Sequence, residues 1–358
     1  MILAIDIENF KSIKTLHLEF KRINILIGAN GAGKSNLIGF FKLLDAMYKN
    51  ELKHYVAVHG YADSFLYFGR KASNFTSGNV VFAPIVEDWH TDQNWYRYEL
   101  IPNQSNHLII ETEDAPIVEE EIKTLDYESY FLTTTEEKEV EQLREQFKTF
   151  VIYHFHDTSV NAALRTPCQL KDNRVLREDG SNLAAFLYFL KERHPSNFKF
   201  ITRTIQSIAP FFKGFLLEPD NLNPDMITLE WEEKGSDLYL NAQNLSDGTL
   251  RFIALATLLL QPNPPSTIII DEPELGLHPF AINKLAGLIK KVSAKSQVIL
   301  STQSVNLVSN FEPEDLITVD RVDKQSVFQR LDSEALEQWL EDYSLGDLWT
   351  KSVIGGQP

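Results

Sequence analysis

The octet at positions 28–35, GANGAGKS, constrains this chain more than any other feature. It fits G-x-x-x-x-G-K-[S/T], the phosphate-binding loop. The apolar run at 23–27 suits a buried strand, and Leu37, Ile38, Phe40, Phe41, Leu44 and Met47 recur at helical spacing after it. Strand, glycine loop and helix in that order commit the chain to an α/β fold. Gly28, Gly31 and Gly33 let the backbone turn tightly and bring its N–H groups to phosphate oxygens, and the new helix adds its positive end. The candidate contacts are Asn30, Gly31, Ala32, Gly33, Lys34, Ser35 and Asn36. Lys34 supplies the cation for the outer phosphates and Ser35 a hydroxyl for Mg²⁺.

Three further stretches occur downstream in order. Residues 245–251, LSDGTLR, precede an apolar helix at 252–260; Ser246 can cap it, and Gly248 permits an anion to approach its N-terminus. Residues 268–273, IIIDEP, read as a buried strand ending in two acids. Asp271 would hold Mg²⁺ and Glu272 would act as general base toward an attacking water. Pro279 opens a helix to residue 292. Residues 297–304, QVILSTQS, form a second buried strand with polar residues at its tip.

This order resembles the ABC-type ATPases: Walker A, signature, Walker B and switch strand. The signature departs from the common form, with Asp247 and Thr249 in place of Gly and Gln. The switch position, a histidine in ABC ATPases, is Gln303, which puts fast hydrolysis in doubt. The interval from Ser35 to Ser246 is much longer than in transporter subunits. With NFKS at 9–12, GANGAGKSN and the closing stretch 343–358, it is similar to compact RecF-like and SMC-class heads that lack a long coiled coil. The resemblance implies a RecF/ABC-type head spanning 1–358, a mixed P-loop sheet with helices, and an inserted lobe at about 116–240. It also implies a homodimer with ATP sandwiched between protomers, Ser246 and Gly248 acting in trans. Only 54 residues follow Ser304, too few for a TOPRIM nuclease, so a nuclease-like effector is expected on a separate chain.

Bulk properties narrow the setting. The longest apolar run, 252–260, is far short of the ~20 residues of a membrane helix. The N-terminus lacks a signal-peptide pattern, and the single Cys168 rules out an internal disulfide. A cytoplasmic protein without membrane contact is expected. The net charge is −16, concentrated at 111–145, and such a surface repels nucleic acid. Residues 183–214 run the other way, with Lys191, Arg193, Lys199, Arg203 and Lys213 against Glu192, and read as a solvated helix face or, alternatively, a DNA site. Two functions follow: an ATP-switched dimer controlling a partner effector in anti-phage defence, or a DNA-binding RecF-type ATPase in repair or recombination.

Other elements are coarser. Strands are expected at 2–10 and 14–20, with Lys11 and Ser12 in the turn between them, where Lys11 is a candidate nucleotide contact or a solvated turn residue. More strands are expected at 79–86, 94–101, 106–113, 150–156, 226–232 and 237–241, and helices at 136–150, at 183–193 with Ser181 or Asn182 as its cap, and on to 209. His154, His156 and Asp157 form a conceivable metal cluster without an evident third ligand, or a structural polar group.

Overall fold

The computed structural model describes residues 1–83, 94–116, 122–129 and 138–356. The chain forms two compact units, residues 1–150 with 312–358, and residues 151–311.

The first unit opens with the expected hairpin, β1 (Ile2–Phe10) and β2 (Ile13–Glu19), in which Ile5 lies opposite Leu18. Alternation buries Ile5 and Ile7 on one face, and Ile2 and Phe10 are buried at the two ends of the strand. β3 (Ile23–Ile27) is buried along its whole length, and α1 (Lys34–Tyr48) follows the glycine loop. The apolar positions of α1 are buried as their spacing predicts, and Phe40 meets Phe10 edge-on and stacks against Tyr98. A short α2 (Leu52–Val58), unmarked in the sequence pattern, comes next.

β4 (Thr76–Phe82), β5 (Trp95–Pro102) and β6 (Leu108–Asp114) occupy the expected strand regions, and β7 (Ile122–Asp126) follows. They complete an antiparallel sheet of order β2-β1-β4-β5-β6-β7. Tyr96 and Tyr98 are core residues, and Tyr96 donates to the buried Glu113. α3 (Lys138–Lys148) lies within the helix expected at 136–150. Residues 84–86 of the expected strand, 136 and 137 of that helix, and parts of the acidic segment lie outside the described residues.

The second unit starts in β8 (Phe150–Tyr153), followed by α4 (Leu183–Arg193) and α5 (Pro195–Ile208). Asn182 stands at the N-cap of α4, but its side chain turns away from the helix. Its Nδ2 donates to Asp172 O and Val175 O, and its Oδ1 accepts from Arg177 N–H. Pro195 ends one helix by opening the next, at the position where its missing N–H costs nothing. β9 (Phe212–Leu216) and β10 (Glu230–Glu233) pair antiparallel over Trp231. Then come α6 (Asp247–Leu260), β11 (Thr267–Asp271), α7 (Pro279–Val292) and β12 (Gln297–Thr302). β11 and β12 are parallel and almost wholly buried, with Asp271 beside Ser301. α8 (Val305–Val308) closes the unit.

The chain then returns to the first unit. β13 (Leu316–Val322) runs parallel to β3, with Thr318 opposite Ile27, and β14 (Gln325–Arg330) pairs antiparallel to β13. α9 (Ser333–Leu340) and α10 (Leu345–Thr350) follow, and Trp349 of α10 is buried with its indole N–H on Gly356 O. The longest described helix has 15 residues, so no long coiled coil is present among them. None of the described helices is long and apolar enough to cross a membrane.

Candidate nucleotide site

In the first unit, the glycine loop takes a conformation that other residues resist. Gly28, Gly31 and Gly33 have φ of 158°, 78° and 125°. A Cβ at Gly28 would lie 2.3 Å from Val319 O, and one at Gly33 2.1 Å from Ser326 Oγ. Gly31 faces open space. Lys34 is buried, and its ammonium donates to Gly28 O at 2.5 Å and Ala29 O at 3.0 Å. The cation is therefore carried on the carbonyls of its own loop. This cradle fits a polyphosphate. Ser35 and Asn30 are exposed and Ala32 is buried.

A polar chain braces the loop from behind. Asn36 Nδ2 donates to Ser12 Oγ at 2.6 Å, Ser12 Oγ and Ser326 Oγ share a hydrogen bond at 2.6 Å, and Ser326 Oγ donates to Ala32 O. Arg321 reaches Gly31 O at 3.3 Å. Lys11 lies in the expected turn, at φ 51°, with its ammonium 5.3 Å from the Phe65 ring centroid. Burial, then Lys42, holds its pKa below the ordinary lysine value. Lys11, Ser12, Asn36 and Arg321 line one open groove of about 700 Å³.

In the second unit, Asp271 and Glu272 stand at the tip of β11. Ser301 Oγ donates to Asp271 Oδ1, and His156 Nε2 meets Asp271 O at 2.6 Å. Carboxylate oxygens are hard donors of the kind Mg²⁺ takes, so the Asp271 side chain has suitable chemistry for it; the exposed Ser35 hydroxyl of the first unit is likewise a hard oxygen donor. Glu272 adopts φ 40°, a conformation that costs a residue with a side chain about 1–2 kcal/mol. Its N–H donates to Ser301 O at 3.0 Å. Gln303 Nε2 donates to Glu272 Oε1 at 2.5 Å, which brings the two candidate catalytic side chains together.

Glu274, the first residue of the loop after IIIDEP, fixes that geometry. Its Oε1 accepts from Thr302 Oγ1 at 2.5 Å and from Gln303 N–H at 3.1 Å, while its buried Oε2 has no hydrogen-bond partner among the described residues. Desolvation raises its pKa above the ordinary carboxyl value.

Ser246 caps α6 as expected, accepting from Thr249 N–H at 3.2 Å. Gly248 has an additional reason to be glycine, because a Cβ there would lie 2.4 Å from Gly276 O. Two arginines that composition could not single out hold this region. Arg165 donates to Ala242 O, Leu245 O and Asp247 Oδ1, and Arg251 donates to Phe155 O, His156 O and Leu275 O. Their only sequence signal is a cation inside an apolar stretch. His156 is engaged with Asp271, and Asp157 Oδ1 accepts from Ser159 N–H. Among the described residues no group of three or more His, Cys, Asp or Glu is arranged to hold a metal.

Comparison with known proteins places these features. The family described as "AAA domain, putative AbiEii toxin, Type IV TA system" matches residues 23–309. The SMC head bound to the C-winged helix domain of ScpA superposes with a TM-score of 0.65 at 15% identity, over 94% of this chain and 99% of that one. An SMC head with an extended coiled coil, bound to the C-terminal domain of ScpA derived from Pyrococcus furiosus, gives 0.59 at 16%, over 95% and 98%. At such identities the likeness concerns the fold. A stretch of 68 residues is 31% identical to ABC transporter A family member 11 of Dictyostelium discoideum, covering 19% of this chain and 8% of that protein, so the chain spans only a small part of that relative's length. The fold is that of a compact SMC/ABC-type ATPase head, and the chain belongs to the AAA-domain family of putative AbiEii toxins of type IV toxin–antitoxin systems.

Proposed function

We propose that this protein binds ATP with Mg²⁺, dimerises on it through an ATP sandwich, hydrolyses it slowly, and in the ATP state controls a separate effector in anti-phage defence. The observation that carries this reading is the amide of Gln303 seated on the carboxylate of Glu272. A neutral donor stabilises developing phosphoryl charge less than a charged one, which favours a long-lived bound state over rapid turnover.

Asn30 through Asn36 would hold the phosphates, Lys34 the outermost pair. Ser35 and Asp271 would hold Mg²⁺, which supplies positive charge against the β- and γ-oxygens. Glu272 would accept the proton of the attacking water. Ser246 and Gly248, at the start of α6, would offer N–H groups to the nucleotide of the partner protomer. The family description supports a defence role, and the charge of −16 favours a protein effector over nucleic acid.

The test is light scattering of the Glu272→Gln protein with and without ATP, followed by co-purification with the product of the adjacent coding sequence. An ATP-dependent dimer that retains that product, and loses it with Lys34→Ala, is the expected result. A monomer in ATP would overturn the switch.

A second reading, DNA binding, rests on the basic stretch of α4 and α5. Lys213 is spent on Glu232 at 3.1 Å, which leaves Lys191, Arg193, Lys199 and Arg203 as its principal charge. Charge reversal at Lys191, Arg193 and Arg203 should then weaken DNA binding, which should also fall steeply with salt. No binding at low salt with ATP present would leave only the effector reading.

A further inference from the structure

The groove beside the glycine loop contains one residue that packing does not explain. Phe68 is 54% exposed and has φ of 55°, a conformation that bulky side chains avoid. The loop holds it there firmly. Tyr67 N–H donates to Asn9 O at 2.9 Å, Gly69 N–H to Leu66 O at 3.0 Å, and Ser73 Oγ to Tyr67 O at 2.8 Å. Asp63 accepts from Arg70 N–H at 2.9 Å and pairs with its guanidinium at 3.2 Å. The ring rests edge-on against Tyr67, with centroids 4.7 Å apart at 88°. An aromatic ring is thus kept in water by a strained, well-braced backbone, and such strain concentrates where it serves function.

The groove gives the ring its context. Phe68 shares it with Asn36, which follows Ser35 in the first turn of α1, and with Arg321, which touches the loop at Gly31. A nucleotide with its outer phosphates on Lys34 and Ser35 would have Asn36, the next residue of the first turn, between those phosphates and this groove. We propose that this groove receives the nucleoside, with the base stacked on Phe68. This rests on the ATP-binding reading above. Bases stack on exposed aromatic rings because both present flat π-faces.

The experiment is calorimetric titration of ATP, and separately of inorganic tripolyphosphate with Mg²⁺, into wild type, Phe68→Gly and Lys34→Ala, with melting temperatures measured alongside. Glycine accepts positive φ freely, so Phe68→Gly should melt no lower than wild type, bind ATP about tenfold more weakly, and bind tripolyphosphate unchanged. Phe68→Trp provides a second readout: ATP should quench the added indole fluorescence and tripolyphosphate should not. A Phe68→Gly protein that binds ATP as tightly as wild type, or loses both ligands equally, would overturn the stacking role. A wild type that binds neither ligand would overturn the glycine-loop assignment itself. Loss of both ligands in Lys34→Ala alone, with Phe68→Gly selective, is the pattern that separates the two.

Discussion

Arg165 donates to Asp247 at 2.7 Å from a side chain only 5% exposed, while its partner is largely in water. The same guanidinium holds Leu245 O and Ala242 O, so one buried cation sets where α6 begins. Arg165→Ala should cost about 2–4 kcal/mol of stability, since it leaves buried carbonyls without their donor. Asp247→Asn should cost under about 1 kcal/mol, because the exposed end of the pair is screened. Urea unfolding of both variants checks the asymmetry.

Ser246→Arg addresses the other side of the same turn. It should abolish ATP-dependent dimerisation and leave ATP binding by the monomer intact, whereas Glu272→Gln should trap the dimer. Light scattering in ATP distinguishes them, and identical behaviour would remove the signature from a trans role.

Lys34→Ala should weaken ATP binding by roughly tenfold to a hundredfold, the loss expected for one charge-assisted contact of about 1.5–3 kcal/mol. A fluorescent ATP analogue measures it. Unchanged affinity would mean that the glycine loop does not hold phosphate.

Gln303 should act as the brake. The wild-type kcat is expected below the ~1 s⁻¹ that bounds ordinary enzymes, and Gln303→His should raise it without loss of affinity, because histidine can carry charge. Steady-state phosphate release on both proteins, with binding measured in parallel, decides the matter. A histidine variant that hydrolyses no faster would show that the amide on Glu272 is not rate-limiting.

Glu274 should leave a mark on stability against pH. A carboxyl whose pKa is raised by folding is protonated more readily in the native state than in the unfolded chain. Its stabilising share is full below the ordinary carboxyl pKa and disappears as pH rises through the raised one. Glu274→Gln keeps an oxygen for Thr302 and Gln303 and removes the buried charge. Thermal melts from acid to neutral pH should therefore show the wild type losing stability relative to the variant as pH rises. Parallel curves would place the Glu274 charge in contact with water.

Local patterns carried the reading furthest where one segment determined its own structure. The helix of α1 followed from apolar spacing, and α7 begins at Pro279 and ends at Val292 as read from sequence. Ser246 as a cap was legible because capping involves neighbours only three residues apart. What escaped was non-local. Nothing near Ser326 indicates that its hydroxyl supports Ala32 from 294 positions away, and nothing near Arg165 points to Asp247. The pairing of β13 with β3 was hidden for the same reason. Asn182 shows the reverse failure: a favourable cap residue took more distant partners once the loop from Asp172 folded beside it.

The bracing of the glycine loop by Ser326 has a consequence for synthesis. The loop emerges from the ribosome early, but the strand that supports it, β14, is made 314 residues after Ser12. At about 5–20 residues per second that gap lasts roughly 15–60 s. The second unit, contiguous from 151 to 311, has all its own residues before β14 exists. A nascent chain therefore carries the glycine octet for most of its translation without the serine that shapes it. The loop takes its braced geometry only after Ser326 has been made and has reached Ser12 and Ala32.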